Sequence, residues 1–161
     1  MCVIVDNDVA HEVLVCVDDR EFGAMHEYLQ TMAPSRSGRL VYGGHLLEEY
    51  SEEVRHAVAL LDDKGAARPE DETAVKSETA RLSQQRLCKS NDAHVVALGR
   101  VSGARLLCTR DRRSGLMADW HDTALLDKPP GRIYSRAGHK KMIVSFLMCR
   151  NCKVRQKTCG R

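Results

Sequence analysis

The stretch SNDAHVVALGRVSGARLLCTRDR, residues 90–112, carries the signals of a helix, a tight turn and a buried strand in direct succession. Ser90 or Asn91 can cap the helix, and Gly103 ends it, since glycine readily adopts the left-handed conformation that ends helices. The segment RLLCT (105–109) is a continuous apolar run, as expected of a strand covered on both faces. The helix repeats apolar residues at helical spacing: Ala93, Val96, Ala97 and Val101.

The same alternation of strands and helices extends along the rest of the chain. Apolar strands are expected at CVIVD (2–6) and RLVYG (39–43), and Pro69 places the short strand AARPE (66–70) at an edge of the sheet. The other expected elements are helices at 21–32, 45–64 and 72–85, a short strand at 132–134 and a brief helix after it. This order predicts an α/β sandwich with a mostly parallel sheet.

Acidic residues from distant parts of the chain are predicted to meet at one edge of this sheet. Asp6 ends the first strand, and Asp111 follows RLLCT by two residues. The helix before that strand runs in the opposite direction, so its first turn, with Asp92, lies at the same edge. Glu48 and Glu49 begin the helix after the second strand. In parallel sheets, ligands bind outside the carboxyl ends of the strands, where these acids are expected.

Crowded carboxylates indicate a cation site. Like charges repel, and each carboxylate loses hydration when it is buried, so a divalent cation is the usual reason to keep such a cluster. Hard oxygen ligands favour Mg²⁺ or Mn²⁺, which can activate water for phosphodiester hydrolysis. Taken singly, each acid has an ordinary explanation: Asp92 as a first-turn acid, Asp111 as a turn residue, and Glu48 and Glu49 as surface charges.

These acids and their surroundings resemble the PIN domain family of metal-dependent nucleases. The matching segments are IVDNDVA, GGHLLEEY, SNDAHVVALGRVSGARLLCTRD and LMADW, within roughly residues 2–142. The resemblance implies a three-layer α/β/α sandwich, a pocket for Mg²⁺ or Mn²⁺, and cleavage of single-stranded RNA. Many members are toxins of toxin–antitoxin pairs, so an antitoxin partner and a homodimer are also implied.

The resemblance assigns the catalytic, metal-binding role to Asp6, Glu49, Asp92 and Asp111, with Glu48 as the fallback for Glu49. Supporting roles follow for three more side chains. Thr109 orients Asp111, Asn7 hydrogen-bonds a metal-bound water, and Asp119 is an outer acid. Two residues depart from the family pattern. Asp8 adds a charge that can perturb the pocket, and Arg110 either contacts substrate phosphate or weakens metal binding.

Chain length and charge indicate the number of domains and the kind of partner. The chain has 161 residues and a net charge of +3, which suits one domain, predicted at 1–143, with a basic tail at 144–161. Lys140, Lys141 and Arg110 are expected to hold RNA phosphates, while the tail adds attraction or is simply a solvated extension. No signal peptide or membrane-spanning run is recognised, which predicts a cytoplasmic protein.

The seven cysteines are expected to be reduced. Cys149, Cys152 and Cys159 could supply three thiolates to zinc, but no fourth ligand stands at a standard spacing, and His139 is distant.

Two other functions remain open from the sequence. A non-catalytic RNA-binding or assembly module would keep the fold and bind through its basic surface. A phosphatase would use Asp6 and Asp8 as nucleophile and acid, but no lysine-bearing partner motif accompanies them. If the acids do crowd one pocket, replacing Asp6 or Asp111 by Asn is expected to leave the metal-free fold intact or more stable.

Overall fold

The computed structural model describes residues 2–31, 39–126 and 129–146. Within these ranges a five-stranded sheet forms the centre, with all paired strands parallel. Its order is β3-β2-β1-β4-β5. The chain therefore adds β2 and β3 on one side of β1, and then returns to add β4 and β5 on the other side. The strands are β1 (Cys2–Val5), β2 (Arg39–Tyr42), β3 (Ala67–Pro69), β4 (Leu106–Cys108) and β5 (Arg132–Tyr134). The expected edge position of the proline-containing strand is confirmed.

Helices cover the sheet and complete the three-layer α/β/α sandwich. One group has α1 packed on α2 and α4, and α2 packed on α9. In the other group, α6 contacts α3, α5 and α8, as well as β1 and β2. The helices are α1 (Ala10–Leu14), α2 (Gly23–Gln30), α3 (His45–Glu49), α4 (Glu52–Asp63), α5 (Glu72–Gln84), α6 (Ala93–Ser102), α7 (Leu116–His121), α8 (Thr123–Leu126) and α9 (Lys140–Phe146), with short 3₁₀ turns at Asn7–Val9 and Ala137–His139.

The single helix expected at 45–64 is wrong, because the structure divides it into α3 and α4. Tyr50 is extended, with ψ of 139°, and Ser51 caps α4 by accepting a hydrogen bond from Val54 N at 3.3 Å. The Tyr50 side chain is buried, and its hydroxyl donates to Val5 O at the end of β1. Apolar spacing continues across the break, so periodicity alone does not reveal it. Ser51 followed by two acids was the available capping signal.

The helix α6 is buried along almost its whole length and passes very close to Trp120. A Cβ added at Gly99 would lie 2.6 Å from the Trp120 ring, closer than real carbon atoms approach. The ring has little room to move, because it is fully buried and its Nε1 donates to Arg132 O at 3.0 Å. Glycine at this position therefore lets the helix pack against the indole.

We expect Gly99→Ala to lower the free energy of unfolding by about 2 kcal/mol, because overpacking a rigid contact outweighs the helix preference of alanine. Urea denaturation would measure the loss. Gly138→Ala is the matched control, since a Cβ there meets nothing within 4 Å. Equal stability of the two variants would contradict the close packing.

Some predictions concern the end of the chain. The predicted boundary after residue 143 falls inside α9, and Cys149, Cys152 and Cys159 lie outside the described residues, as does most of the predicted tail. In the described part of the chain, Cys16, Cys88 and Cys108 are free thiols. Across the same residues, no helix combines the length and apolar character needed to cross a membrane.

Candidate functional site

An open pocket of about 650 Å³ lies at the carboxyl edge of the sheet. It is formed by the segments after β1 and β4, the end of α3 and the start of α6. Because β2 and β4 flank β1, the connections from β1 and β4 diverge here and leave a crevice. The lining residues are Asp6, Asn7, Asp8, Glu49, Asp92, Arg110, Asp111, Arg112 and Arg113. The four principal acids of the sequence analysis thus line one pocket, together with Asp8.

Asp6 is the most buried acid of the pocket, with 8% of its surface exposed. Its backbone N–H continues the sheet by donating to Cys108 O at 2.9 Å. Its carboxylate accepts hydrogen bonds from Asn7 N at 2.9 Å and from the Thr109 hydroxyl at 2.7 Å. Burial, followed by the charges of Asp8 and Asp92, raises the pKa of Asp6 to about 7, although the hydrogen bonds from Thr109 and Asn7 act in the opposite direction. Keeping the Asp6 carboxylate ionised in this pocket therefore costs folding free energy.

Thr109 connects the loops after β1 and β4. Its hydroxyl has one proton, and the 2.7 Å contact with Asp6 is shorter than the 3.3 Å contact with Asp8. The same oxygen accepts from the backbone N–H of Asp111 at 3.0 Å. Thr109 therefore orients the Asp6 carboxylate and the Asp111 backbone, whereas the sequence analysis had it orient Asp111 alone.

Asp111 occupies a favourable environment for a charged carboxylate. Its Oδ1 accepts from the backbone N–H groups of Arg113 at 2.8 Å and Ser114 at 3.0 Å. Hydrogen bonds from Ser114, followed by that from Arg113, lower the pKa of Asp111. The lowered pKa of Asp111 counts against the expectation that neutralising it stabilises the fold, because hydrogen bonds compensate its charge locally.

Asp92 and Asp119 have different roles at the start of α6: Asp92 lines the pocket, and Asp119 binds the backbone before the helix. Asp92 stands at the N-cap position, yet its side chain makes no capping hydrogen bond and lines the pocket. Asp119, only 1% exposed, accepts from Lys89 N at 2.9 Å and from Ser90 N at 2.8 Å. The outer acid suggested by LMADW is not among the pocket-lining residues. It anchors the backbone that leads into Asp92.

Glu49, rather than its neighbour Glu48, lines the pocket. Its Oε1 lies 3.4 Å from His45 Nε2 and 3.5 Å from His94 Nε2. Glu48 is exposed and pairs with His45 Nδ1 at 3.0 Å. Burial lowers the pKa of His94, so its ring favours the neutral form. Neither histidine was predicted from the sequence, although the spacing of His45 and Glu49 on a helix was a usable signal.

The basic residues that are predicted to hold RNA lie in different parts of the surface. The Arg110 guanidinium lies 2.9 Å from Glu12 and 3.2 Å from Glu21, and it stacks over Phe22. Its charge is thus already compensated, although Arg110 lines the pocket and its backbone N–H donates to Asp8 at 2.8 Å. Lys140 lines a separate pocket beside α2, and Lys141 is exposed on α9. Arg112 and Arg113 are exposed at the acidic pocket, and the sequence analysis overlooked them.

The donor chemistry of the pocket fits Mg²⁺ or Mn²⁺, because its acids supply hard carboxylate oxygens. The carboxylates are not prearranged around one point. Among the described residues, no three His, Cys, Asp or Glu side chains are placed as a group that could hold one ion. Both Asp6 oxygens and one Asp111 oxygen are hydrogen-bonded within the protein. An ion would therefore be held only after these side chains rearranged.

Comparison with family models, with curated proteins and with solved structures finds no match to this chain. The resemblance to the PIN domain family stays a prediction that rests on the quoted motifs.

Proposed function

We propose that the protein is a metal-dependent endoribonuclease that hydrolyses phosphodiester bonds of single-stranded RNA in the acidic pocket. One observation carries this proposal: Asp6, Glu49, Asp92 and Asp111, from four separate parts of the chain, line the same pocket at the point where the strand order reverses. The raised pKa of Asp6 adds support, because burial, followed by the charges of Asp8 and Asp92, makes its carboxylate costly to ionise, and a bound cation would relieve that cost.

The residues around the pocket have distinct parts in this proposal. Bound Mg²⁺ or Mn²⁺ would supply Lewis acidity and an activated water for attack on phosphorus. Glu49 and Asp92 present carboxylates from the end of α3 and the start of α6, while Thr109 and Asn7 N orient Asp6. Arg112 and Arg113, exposed at the rim, offer positive charge to the RNA backbone.

The direct test is cleavage of labelled, unstructured RNA in the presence of Mg²⁺ or Mn²⁺. We expect Asp92→Asn and Glu49→Gln each to lower the cleavage rate about a hundredfold or more, because each removes a charged metal ligand. Glu48→Gln is the matched control: it makes the same change one residue from Glu49, on a side chain outside the pocket. If Asp92→Asn cleaves as fast as the parent, the catalytic assignment is wrong.

The same samples distinguish the non-catalytic alternative. An RNA-binding module would bind the RNA equally well in EDTA, show no uptake of Mn²⁺ in a titration, and lose affinity on Arg112→Ala with Arg113→Ala.

The toxin context, with its antitoxin partner and homodimer, is a further part of the proposal. Induced expression should arrest bacterial growth for the parent chain and not for Asp92→Asn.

A further inference from the structure

A cysteine, a histidine and a glutamate form a chain of polar contacts outside the acidic pocket. Cys16 Sγ lies 3.3 Å from His11 Nδ1, and His11 Nε2 lies 3.3 Å from Glu53 Oε2. His11 belongs to α1, Cys16 follows that helix, and Glu53 lies in the first turn of α4, which packs on α1. The three side chains therefore meet at the junction of two helices.

The backbone after α1 holds the thiol beside the ring. The carbonyl of His11 accepts hydrogen bonds from both Val15 N at 2.9 Å and Cys16 N at 3.0 Å. The second bond closes a turn that reaches back five residues, and so the Cys16 side chain returns to the imidazole. The contact follows from local chain geometry as well as from the packing of α1 on α4.

The carboxylate determines which imidazole nitrogen can accept a proton. An ionised glutamate is only an acceptor, so its contact with His11 favours a proton on Nε2. The Nδ1 lone pair then faces Cys16 Sγ and can take the thiol proton. A nucleophile, a base and a group that orients the base are the three parts of an activated cysteine.

Burial or a raised pKa disfavours reaction at the other described thiols. Cys2 and Cys108 are buried, which removes them from reagents in solution. Cys88 is partly exposed, but burial and then the charge of Asp119 raise its pKa to about 11, which disfavours the reactive thiolate. Cys16 combines partial exposure with an adjacent base.

We infer that Cys16, His11 and Glu53 form a thiol-modification site at which Cys16 exchanges with small disulfides. His11 Nδ1 takes the thiol proton as Cys16 Sγ attacks one sulfur of the disulfide. The disulfide bond breaks, a mixed disulfide forms on Cys16, and the leaving thiolate takes a proton to become a thiol. One thiol and one disulfide are consumed and one of each is formed, so no further oxidant is needed.

The test is site-resolved exchange of the full-length, fully reduced chain with excess oxidised glutathione. Cys149, Cys152 and Cys159 are replaced by serine in every sample, so that exchange among thiols does not blur the result. Peptide mass spectrometry follows the mixed disulfide at Cys16 and Cys88 separately. We expect Cys16 to react at least about tenfold faster than Cys88, given the thiolate dependence of exchange.

Two variants and two controls isolate the contribution of the neighbours. His11→Gln should slow Cys16 about tenfold and Glu53→Gln about threefold, modest effects because the pair is solvent-exposed. His56→Gln and Glu52→Gln make the same changes at exposed neighbouring positions on α4 and should leave the rate unchanged. In urea the advantage of Cys16 should disappear.

The inference is overturned if Cys16 reacts no faster than Cys88. It also fails if His11→Gln leaves the Cys16 rate unchanged, or if the advantage persists in urea and so does not depend on the fold. None of these outcomes bears on RNA cleavage, since the variants do not alter the residues that line the acidic pocket.

Discussion

Asp6→Asn is expected to stabilise the metal-free protein at pH 8 by up to about 4 kcal/mol, the equivalent of a shift of about three pKa units. Asp6 is buried with a pKa raised to about 7, compared with 3.8 for an ordinary aspartate. Keeping it ionised in the folded state therefore costs free energy. Asparagine has nearly the same shape and carries no charge, so it removes this cost, and the figure is an upper limit because its amide nitrogen cannot accept one of the two hydrogen bonds made to Asp6.

The pH dependence follows from the direction of that shift. Between pH 4 and 7, the folded protein holds a proton on Asp6 that the unfolded chain has released. The contribution of Asp6 to stability is therefore greatest below pH 4, falls as the pH rises to 7, and stays low above that. Urea denaturation of parent and variant in EDTA, from pH 4 to 8, measures the difference, which also includes the change that the substitution makes to the neighbouring Asp8.

Asp111→Asn provides the control for this prediction. Its carboxylate accepts two backbone hydrogen bonds and its pKa is lowered, so neutralising it should slightly destabilise the protein at pH 8. Equal stabilisation by the two variants would mean that general charge reduction, and not the burial of Asp6, is responsible. A constant difference between parent and Asp6→Asn across the pH range would also contradict the prediction.

Asp119→Ala is expected to lower the free energy of unfolding by about 3 kcal/mol, because two backbone N–H groups lose a charged acceptor in a buried environment. These groups belong to Lys89 and Ser90, which lead into α6. Thermal and urea denaturation would measure the loss. Asp122→Ala is the control, since Asp122 accepts one bond from Ala124 N at an exposed helix start and should cost about 1 kcal/mol.

A second measurement on Asp119→Ala separates its role from that of a pocket acid. If Asp119 anchors the start of α6, cleavage by the folded fraction should fall less than in Asp92→Asn. A variant with full stability and abolished cleavage would instead place Asp119 in the chemistry.

Most of the architecture could be predicted from the sequence, because parallel strands are apolar runs and chain direction follows from their alternation with helices. The edge position of β3 followed from Pro69, and the left-handed Gly103 at the end of α6 followed from its place after the apolar stripe. The meeting of Asp6, Asp92 and Asp111 with an acid of the helix after β2 followed from strand direction, and the choice of Glu49 over Glu48 followed from the resemblance to the PIN domain family. Each of these features depends on local pattern or on simple rules of connection.

Side-chain roles were less predictable, since they depend on partners that are distant in the sequence. Arg110 forms ion pairs with Glu12 and Glu21, about ninety or more positions away in the sequence. These pairs compensate the charge that the sequence alone had assigned to RNA phosphates. The Asp119 carboxylate accepts hydrogen bonds from the backbone N–H groups of Lys89 and Ser90. Periodicity also failed to reveal the break between α3 and α4, because the apolar spacing runs through it.

The amino-acid sequence by itself determined the five strands and the main helices between them, and with these the edge of the sheet where the acids meet, because the direction of the chain follows from the alternation of strands with helices. Only the tertiary structure decided what each side chain does there. Burial makes the Asp6 charge costly in spite of the hydrogen bond from Thr109, while two backbone N–H groups make that of Asp111 favourable. Two aspartates of the same kind differ because desolvation and hydrogen bonding are set by three-dimensional surroundings.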